Sequence, residues 1–311
     1  MHANADAADT PASFEWPPET SRALATRLRF VARHARLFAR PTILDVGCGT
    51  GEHLTQYLAR LLPRAHLIGM DPDAASISHA MARFGGLPNV RFTTSMPAGD
   101  RFDIVIASEV LEHVDSPAAF LAELRSLLKD DGVLLLTVPN GYGPSELTCL
   151  AQTLLHLYVL HPRRGANHTR PPVPSLPSPV RADLGLDTNA SSFHRQFFTR
   201  RRLLNLFARN AWTPVACQAR MFLHACPSCS LLDRFETLAS LNVNLARLLP
   251  LCLASDWMFA LRKDLSASPA VPPVDIRPGR LHRRRQLWHE LRFGAASSSG
   301  QRGTDGAPTG A

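Results

Sequence analysis

Residues Ile43 to Gly51 read Ile-Leu-Asp-Val-Gly-Cys-Gly-Thr-Gly, and this stretch decides the predicted fold. An apolar run passes into a turn with glycine at every second position, and a helix-compatible segment follows from Glu52 to Leu62. The pattern predicts a buried strand, a tight turn and the start of a helix. Glycine has no Cβ atom, so positive φ angles cost little there and a bound molecule can approach the main chain. An ordinary connection between a strand and a helix is the alternative interpretation.

The glycine spacing separates this turn from two phosphate-binding motifs. A dinucleotide fingerprint needs glycine at the sixth position of G-x-G-x-x-G, where this chain has Glu52, and a P-loop needs a Lys-Ser/Thr pair that is absent here. The observed pattern, D-x-G-x-G-x-G, resembles the first motif of the class I S-adenosylmethionine-dependent methyltransferases. The resemblance implies that Gly47, Gly49 and Gly51 pack against the methionine part of the cofactor. It also implies that Asp45 helps to position the turn and the amino group of the cofactor.

A second short apolar run, His66 to Met70, ends on the carboxylate of Asp71. Asp71 follows Gly47 by 24 positions, close to the separation that a β-α-β unit requires. In a doubly wound sheet, a carboxylate at the end of the second strand faces the ligand crevice and can accept both hydroxyl groups of a ribose. The sequence therefore predicts Asp71 as a cofactor ligand, with a turn-forming aspartate before Pro72 as the alternative.

The third informative segment is Phe102 to Val114, an apolar strand that runs into Ser-Glu-Val-Leu-Glu-His-Val. A further strand, Val133 to Val138, follows a helix and an Asp-Asp-Gly turn. This succession resembles the ubiquinone-biosynthesis O-methyltransferases, particularly in SEVLEHV and LLKDDGVLLLTVPN. The resemblance covers about residues 20 to 145 and returns weakly near residues 193 to 212 and 252 to 262.

Together these segments predict an α/β fold, a Rossmann-like doubly wound sheet of seven mostly parallel strands with an antiparallel last strand. Strands are expected at residues 42–46, 66–70, 89–94, 102–107 and 133–138, within 212–224, and over 253–262. Helices are expected at residues 19–40, 52–62, 73–83, 116–129, 145–161, 200–210 and 228–249, with Thr199 as the N-cap of the sixth.

Two residues near strand ends are predicted to contact the cofactor. Where relatives often place an aspartate for the adenine amino group, this chain has Ser95 and Met96 after the third strand. The adenine contact is therefore expected from the backbone and a hydroxyl group, or from Met96 packing on the ring. Ser108, just after the fourth strand, is expected to contact the cofactor through its backbone.

His113 is the predicted general base. The cofactor carries an activated methyl group, so the main task of the protein is to place a nucleophile in line with it, and a base is needed only for a protonated nucleophile. His113 follows the fourth strand on the cofactor side, and the ordinary pKa of a histidine side chain suits a base near neutral pH; that His113 caps or packs the helix start is the alternative. No metal-ligand cluster is evident from residue spacing, which argues against a metal-dependent catechol-type enzyme. Other candidates near the acceptor are Glu109, Glu112, Asn140, Tyr142 and His194.

Composition divides the chain into three parts. Residues 1–18 are expected to be a disordered N-terminus, and residues 265–311 a basic, mostly disordered tail. Residues 19–264 are expected to form one class I methyltransferase domain with an insertion at about residues 145–192. A substrate lid, a surface for a membrane or partner, and an insertion without a chemical role are all open interpretations of that segment.

Two segments are candidates for peripheral membrane contact. Residues 145–161 are mostly apolar, and residues 281–293 could form a short basic amphipathic helix, for which a solvated tail is the alternative. No signal peptide and no run of about 18 uncharged apolar residues is evident, so the sequence predicts a cytoplasmic protein without a membrane span.

The basic composition and the cysteines are interpreted conservatively. The net charge is +8, with lysine only at positions 129 and 263, and biased composition explains this arginine content as well as an anionic partner does. Nucleic-acid binding is not inferred from charge alone. The six cysteines include one C-x-x-C pair, Cys226 and Cys229, expected to be reduced, with a redox or metal pair as the alternative.

The sequence therefore predicts an S-adenosylmethionine-dependent methyltransferase that acts on a small or lipid-like molecule, at oxygen. Methylation of RNA or protein is the first alternative, motivated by the arginine-rich loop and tail. A methyltransferase-fold scaffold without turnover is the second, although a scaffold has no need of the glycine turn and Asp71.

Overall fold

The computed structural model describes most of the predicted domain. The described residues are 11, 14–16, 22–144, 194–222, 241, 244–245, 248, 250–269, 271–276, 280 and 282–284. The predicted helix at 145–161, most of the one at 228–249, the insertion and the Cys226–Cys229 pair lie outside the described residues.

The helices and strands follow the predicted order, with boundaries that differ by a few residues at most positions. The helices are α1 (Arg22–Ala35), α2 (Thr55–Leu61), α3 (Ala74–Phe84), α4 (Pro117–Leu127) and α5 (Arg200–Arg209). The strands are β1 (Thr42–Val46), β2 (His66–Met70), β3 (Val90–Thr93), β4 (Phe102–Ser108), β5 (Leu128–Pro139), β6 (Trp212–Ala219) and β7 (Asp256–Lys263).

The seven strands form one sheet in the order β3-β2-β1-β4-β5-β7-β6. Strands β1 to β5 pair in parallel, whereas β7 is antiparallel to both β5 and β6. The predicted Rossmann-like fold, with its antiparallel last strand, is confirmed. The strand order reverses between β1 and β4, which is where doubly wound sheets bind their ligands, outside the carboxyl ends of the strands.

Both faces of the sheet are covered, and alternate residues of each strand enter different halves of the core. Leu44 of β1 packs in one apolar cluster with Leu121 of α4 and Leu203 of α5. Ile43 packs in a second cluster, which includes residues of α1 and α2. Burial on both faces accounts for the near-continuous apolar runs in the central strands.

Side chains mark the starts of the later helices. The Ser116 hydroxyl accepts a hydrogen bond from Ala119 N at 3.2 Å, and Pro117 occupies the first turn of α4. The Thr199 hydroxyl accepts from Arg202 N at 3.2 Å, so the predicted N-cap of α5 is confirmed.

The predicted turn at residues 130–132 is wrong, because β5 already begins at Leu128. The pairing of β5 with β4 shifts register between Phe102 and Ile104, and this irregularity places the polar residues in an extended segment. A Cβ atom on Gly132 would lie 2.8 Å from Leu128 Cγ, so close packing favours glycine there.

Part of the segment predicted to be a disordered tail packs on the domain. Asp275 accepts hydrogen bonds from the Ser116 hydroxyl and from Ala118 N, at 2.5 and 2.8 Å, at the start of α4. His282 is 5% exposed and its Nδ1 lies 2.7 Å from an Arg202 guanidinium nitrogen. Asp275 and His282 therefore attach this segment to α4 and α5. No helix among the described residues is long and apolar enough to cross a membrane.

Candidate active site

The glycine turn adopts the backbone conformation that the sequence predicts. Gly47, Gly49 and Gly51 have φ angles of +74°, +56° and +73°, a region that residues with a Cβ atom seldom enter. The backbone N–H groups of Gly47 and Cys48 donate to the carbonyl oxygen of Met70 at 2.8 and 3.0 Å. The turn after β1 is thereby joined to the end of β2.

Protein side chains fill the space that two of these glycines leave. A Cβ atom on Gly47 would lie 2.5 Å from Val110 Cγ2, and one on Gly51 would lie 3.1 Å from the Phe92 ring. The glycine pattern alone predicts that the missing side chains make room for a ligand. At Gly47 and Gly51, however, a side chain is excluded by packing against other residues of the protein: Val110 after β4 and Phe92 in β3.

Asp45 connects β1 to the helix that follows the turn. Its side chain is buried, and its Oδ2 accepts a hydrogen bond from the buried Thr55 hydroxyl at 2.7 Å. Thr55 is the first residue of α2, so this bond fixes the distance between the strand end and the helix start. Asp45 thus positions the turn, which is one of the two roles that the sequence analysis gave it.

Asp71 lies at the carboxyl end of β2 and is 1% exposed. Its two carboxylate oxygens accept hydrogen bonds from the backbone N–H groups of Gly49 and Asp73, each at 2.9 Å. Asp71, the residue predicted to bind the ribose, therefore contacts the glycine turn directly. A carboxylate has about four lone-pair directions, so one that holds two N–H groups can still accept hydroxyl hydrogens.

The other two predicted cofactor contacts differ in their surroundings. Met96 is half-buried after β3 and packs against the larger apolar cluster. The Ser108 hydroxyl, at the end of β4, accepts a hydrogen bond from Arg27 Nη1 at 2.9 Å. The side chain of Ser108 is thus engaged by the protein, and its backbone is the part that we predicted to contact the cofactor.

Arg27 is a site residue that the sequence analysis missed. It lies three residues after Leu24 and four before Val31, so it falls on the apolar stripe of α1 and points inward. Burial and the nearby Arg220 guanidinium lower the pKa of Arg27 to about 10. Its position on the apolar stripe of α1 is the feature of the sequence that could have indicated a buried arginine.

The turn after β4 carries the carboxylates and the predicted base. Glu109 has φ +59°, which is uncommon for a residue other than glycine and is often associated with functional sites. Its N–H donates to the Thr137 carbonyl oxygen at 2.9 Å, which holds the turn against β5. Three residues later the chain buries Glu112 completely, whereas the His113 side chain stays 22% exposed.

His194, a secondary candidate in the sequence, lies beside His113. The two imidazole rings have centroids 5.0 Å apart at an angle of 69°. The backbone N–H groups of Arg195 and Gln196 donate to the Glu112 carbonyl oxygen at 2.8 and 2.9 Å. These bonds attach the segment before α5 to the turn after β4, so residues 81 positions apart share one site.

A buried charge cluster lies behind this turn. Arg220 Nε donates to Asp256 Oδ2 at 2.9 Å, and a second guanidinium nitrogen bonds the same oxygen. Arg220 Nη2 also lies 3.7 Å from Glu109 Oε1. Burial alone lowers the pKa of Arg220, but the negative charges of Asp256 and Glu109 raise it above its ordinary value. Burial, and then the charge of Glu109, raise the pKa of Glu112.

Two cavities bear on where a ligand can lie. A cleft of about 330 Å³ opens at the amino edge of the sheet, lined by residues that include Thr42, His66 and Phe102, each the first residue of its strand. Doubly wound sheets bind ligands at the other edge, so we do not assign the active site to this cleft. A cavity of about 10 Å³ near Arg27 and Ser108 is too small for a nucleoside, which would have to lie along the outside of the carboxyl edge.

The matching protein family and the similar curated proteins are all methyltransferases. A family model described as a methyltransferase domain matches residues 19–216. The chain is 40% identical over 103 residues to the ubiquinone biosynthesis O-methyltransferase of Rhodopseudomonas palustris, a match that covers 32% of this chain and 40% of that protein. It is 29% identical over 138 residues to the malonyl-[acyl-carrier protein] O-methyltransferase of Halalkalibacterium halodurans, which covers 40% of this chain and 49% of that protein. The chain thus spans less than half the length of these curated relatives.

Among solved structures, the plantazolicin methyltransferase BpumL in complex with SAH is similar to this chain with a TM-score of 0.45. The identity is 16%, and the match covers 79% of this chain and 85% of that one.

Proposed function

The chain belongs to the class I S-adenosylmethionine-dependent methyltransferases, and from that premise we propose that it transfers a methyl group to an oxygen atom of a small or lipid-like molecule. The curated relatives supply the acceptor atom in this proposal, since two of them are named O-methyltransferases. Their names also indicate acceptors other than nucleic acid.

The bond between Asp71 and the glycine turn is the observation that carries the proposal. A buried carboxylate that accepts the N–H of Gly49 brings an acidic group and bare main chain together at the switch point of the sheet. This donor and acceptor set fits a nucleoside with a cationic amino acid attached. The ribose hydroxyl groups would donate to Asp71, and the amino acid part would lie along the turn that Asp45 supports.

When bound, S-adenosylmethionine supplies a methyl group on a sulfonium that needs no further activation. The chain then has to hold an acceptor oxygen in line with that methyl group and keep water away from it. His113 is partly exposed directly after β4, so it is the residue proposed to accept a proton from a hydroxyl acceptor. A carboxylate acceptor is already ionised near neutral pH and would make this step unnecessary.

The proposal is tested by following an isotopically labelled methyl group. The purified chain is incubated with labelled S-adenosylmethionine and, separately, with a dihydroxybenzoate, a malonyl thioester, a tricarboxylic acid, total RNA and a protein extract. We expect mass spectrometry to find the label in a methyl ether or ester of a small molecule, and less of it with Asp71→Asn. Label found only in RNA or protein would contradict the proposal.

A further inference from the structure

Three potential metal ligands from two distant parts of the chain converge beside the predicted acceptor site. Glu112 and His113 lie in the turn after β4, and His194 lies in the segment before α5. One ligand atom from each residue can be chosen so that all three atoms are within 4.8 Å of one another. His113 Nε2 and Glu112 Oε1 are 3.7 Å apart.

Backbone hydrogen bonds hold the two ligand-bearing segments together. The Glu112 carbonyl oxygen accepts from both Arg195 N and Gln196 N, the two residues that follow His194. The Gln196 side chain also donates to the Asp115 carbonyl oxygen at 3.3 Å, and Arg195 forms an ion pair with the Asp115 carboxylate. The spacing of the three ligands is therefore fixed by main chain as well as by side chains.

The Glu112 carboxylate gives an independent indication of a ligand. It is 0% exposed, and neither of its oxygens receives a hydrogen bond from another described residue. An isolated buried carboxylate costs several kcal/mol, as an order of magnitude, unless a cation or hydrogen-bond donors compensate it. The buried Arg220 guanidinium does not fill this role, because its short bonds go to Asp256.

The charges around the cluster favour a cation. The negative charges of Glu109 and Asp256 repel the Glu112 carboxylate, whereas the positive charge of Arg220 attracts it. Arg27 adds a second positive charge to the same group. With Asp45, whose charge also acts on Arg27, four carboxylates in their ionised form face two guanidinium groups, a formal excess of two negative charges among these described residues.

We propose that Glu112, His113 and His194 bind one divalent transition-metal ion. Two imidazoles and one carboxylate form a donor set that suits Zn²⁺, Fe²⁺ or Mn²⁺ and leaves coordination positions open. Metal–ligand bonds of about 2.0–2.2 Å place ligand atoms roughly 3.3–3.6 Å apart in a tetrahedral site. The 3.7 Å separation of the His113 and Glu112 atoms is close to that value, and side-chain rotation supplies the remaining contraction.

The position of the site indicates what its open coordination positions are for. Val110, which packs on Gly47, lies two residues before Glu112, so the ion would lie next to the glycine turn. A metal ion there would bind an acceptor that chelates through two oxygens, such as a vicinal diol or a hydroxycarboxylate, and would lower the pKa of its hydroxyl group. With the ion bound, His113 would act as a metal ligand and not as the general base, and the acidified hydroxyl group would lose its proton to solvent. This use of the ion rests on the proposed function, whereas the site itself does not.

Metal binding can be measured without any methyl transfer. Untagged protein is stripped with chelator and dialysed against Zn²⁺, Mn²⁺ or Co²⁺, and the bound metal is quantified by mass spectrometry, with Co²⁺ absorption as a report of the ligands. We expect one ion per chain and at least tenfold weaker binding in Glu112→Gln, His113→Ala and His194→Ala. His66→Ala, which removes an exposed histidine from the opposite edge of the sheet, should bind like wild type.

Two results would overturn the metal site: no stoichiometric binding of any of these ions by folded wild type, or binding that His194→Ala and Glu112→Gln leave unchanged. Should His113→Ala fail to fold, His113→Gln, a milder change at a half-buried position, takes its place. Calorimetry with S-adenosylhomocysteine on the metal-free protein separates the two proposals. Loss of that binding counts against the proposed function alone, whereas intact cofactor binding without metal binding counts against the metal site alone.

Discussion

The Thr55 hydroxyl donates a hydrogen bond to the Asp45 carboxylate at 2.7 Å, and both side chains are buried. This bond connects the start of α2 to the end of β1 and so spans the glycine turn between them. It ties the conformation of the turn to the packing of a helix and a strand.

Replacing Thr55 with valine keeps the shape of the side chain but removes the donor. We expect Thr55→Val to lower the free energy of unfolding by about 2 kcal/mol, because a buried bond to a charged group is lost. Thr55→Ser keeps the hydroxyl and should cost less. Chemical denaturation of the three proteins measures this, and equal stability of Thr55→Val and wild type would refute the structural role of the bond.

Three glycine-to-alanine variants separate backbone strain from steric clash. Gly47→Ala meets both a positive φ and Val110 at 2.5 Å, Gly99→Ala meets only a φ of +83° in open space, and Gly86→Ala meets neither. We expect losses of about 2–4, about 1 and less than about 0.5 kcal/mol in unfolding free energy. Thermal and denaturant unfolding give the order, and similar losses for Gly47→Ala and Gly86→Ala would contradict the geometry of the turn. Adding Val110→Ala to Gly47→Ala should recover part of the loss.

Because Arg220 and Asp256 form a buried pair, replacing one of them should destabilise the protein more than replacing both. Arg220→Met leaves the Asp256 carboxylate buried without its main partner, so we expect a loss of about 3–5 kcal/mol in unfolding free energy. The double variant Arg220→Met/Asp256→Leu should recover part of this loss. Asp115→Asn, which removes an ion pair with Arg195 in which both side chains are exposed, is the control and should cause no measurable change. A single-variant cost no larger than the control would rule out a structural role for the pair.

Asp103 predicts how stability depends on pH. Burial acts to raise its pKa, but hydrogen bonds from Lys129 and Thr42 outweigh this and lower the pKa below its ordinary value. A lowered pKa in the folded state stabilises the protein above the unfolded pKa of about 3.9, and this contribution is lost as pH falls through the folded value. Asp103→Asn should therefore cost about 1–2 kcal/mol at pH 7 and less at pH 3.

Unfolding curves at pH 7 and pH 3 measure the effect of Asp103→Asn. Asp100→Asn, at a nearby exposed position, should be neutral at both pH values. A cost for Asp103→Asn that stays constant between the two pH values would show that its ionised form does not contribute.

The parallel core was predictable from sequence because its signals are local. The bounds of β1 and β2 match the predictions, since each strand is a short apolar run that ends at a glycine or an aspartate. The positive φ angles of Gly47, Gly49 and Gly51 followed from residue type alone. The start of β5 was not predictable in this way, because Asp-Asp-Gly is typical of a turn and pairing with β4 overrides that preference.

The parts of the site that were not predictable depend on contacts between distant residues. Sequence spacing gives no sign that His194 lies beside His113, since backbone bonds to the Glu112 carbonyl oxygen bring the two segments together. The partnership of Arg220 with Asp256 likewise requires the antiparallel pairing of β6 and β7. These tertiary contacts leave no local pattern in the chain.

The central claim is that Asp71 and the glycine turn hold the nucleoside of the cofactor at the carboxyl edge of the sheet. Isothermal titration with S-adenosylhomocysteine tests it most directly, on wild type, Asp71→Asn and the exposed control Asp100→Asn, each with its melting temperature confirmed. We predict one site per chain, binding at least tenfold weaker in Asp71→Asn, and no change in Asp100→Asn. Absence of binding by folded wild type, or equal affinity in Asp71→Asn, would contradict the assignment.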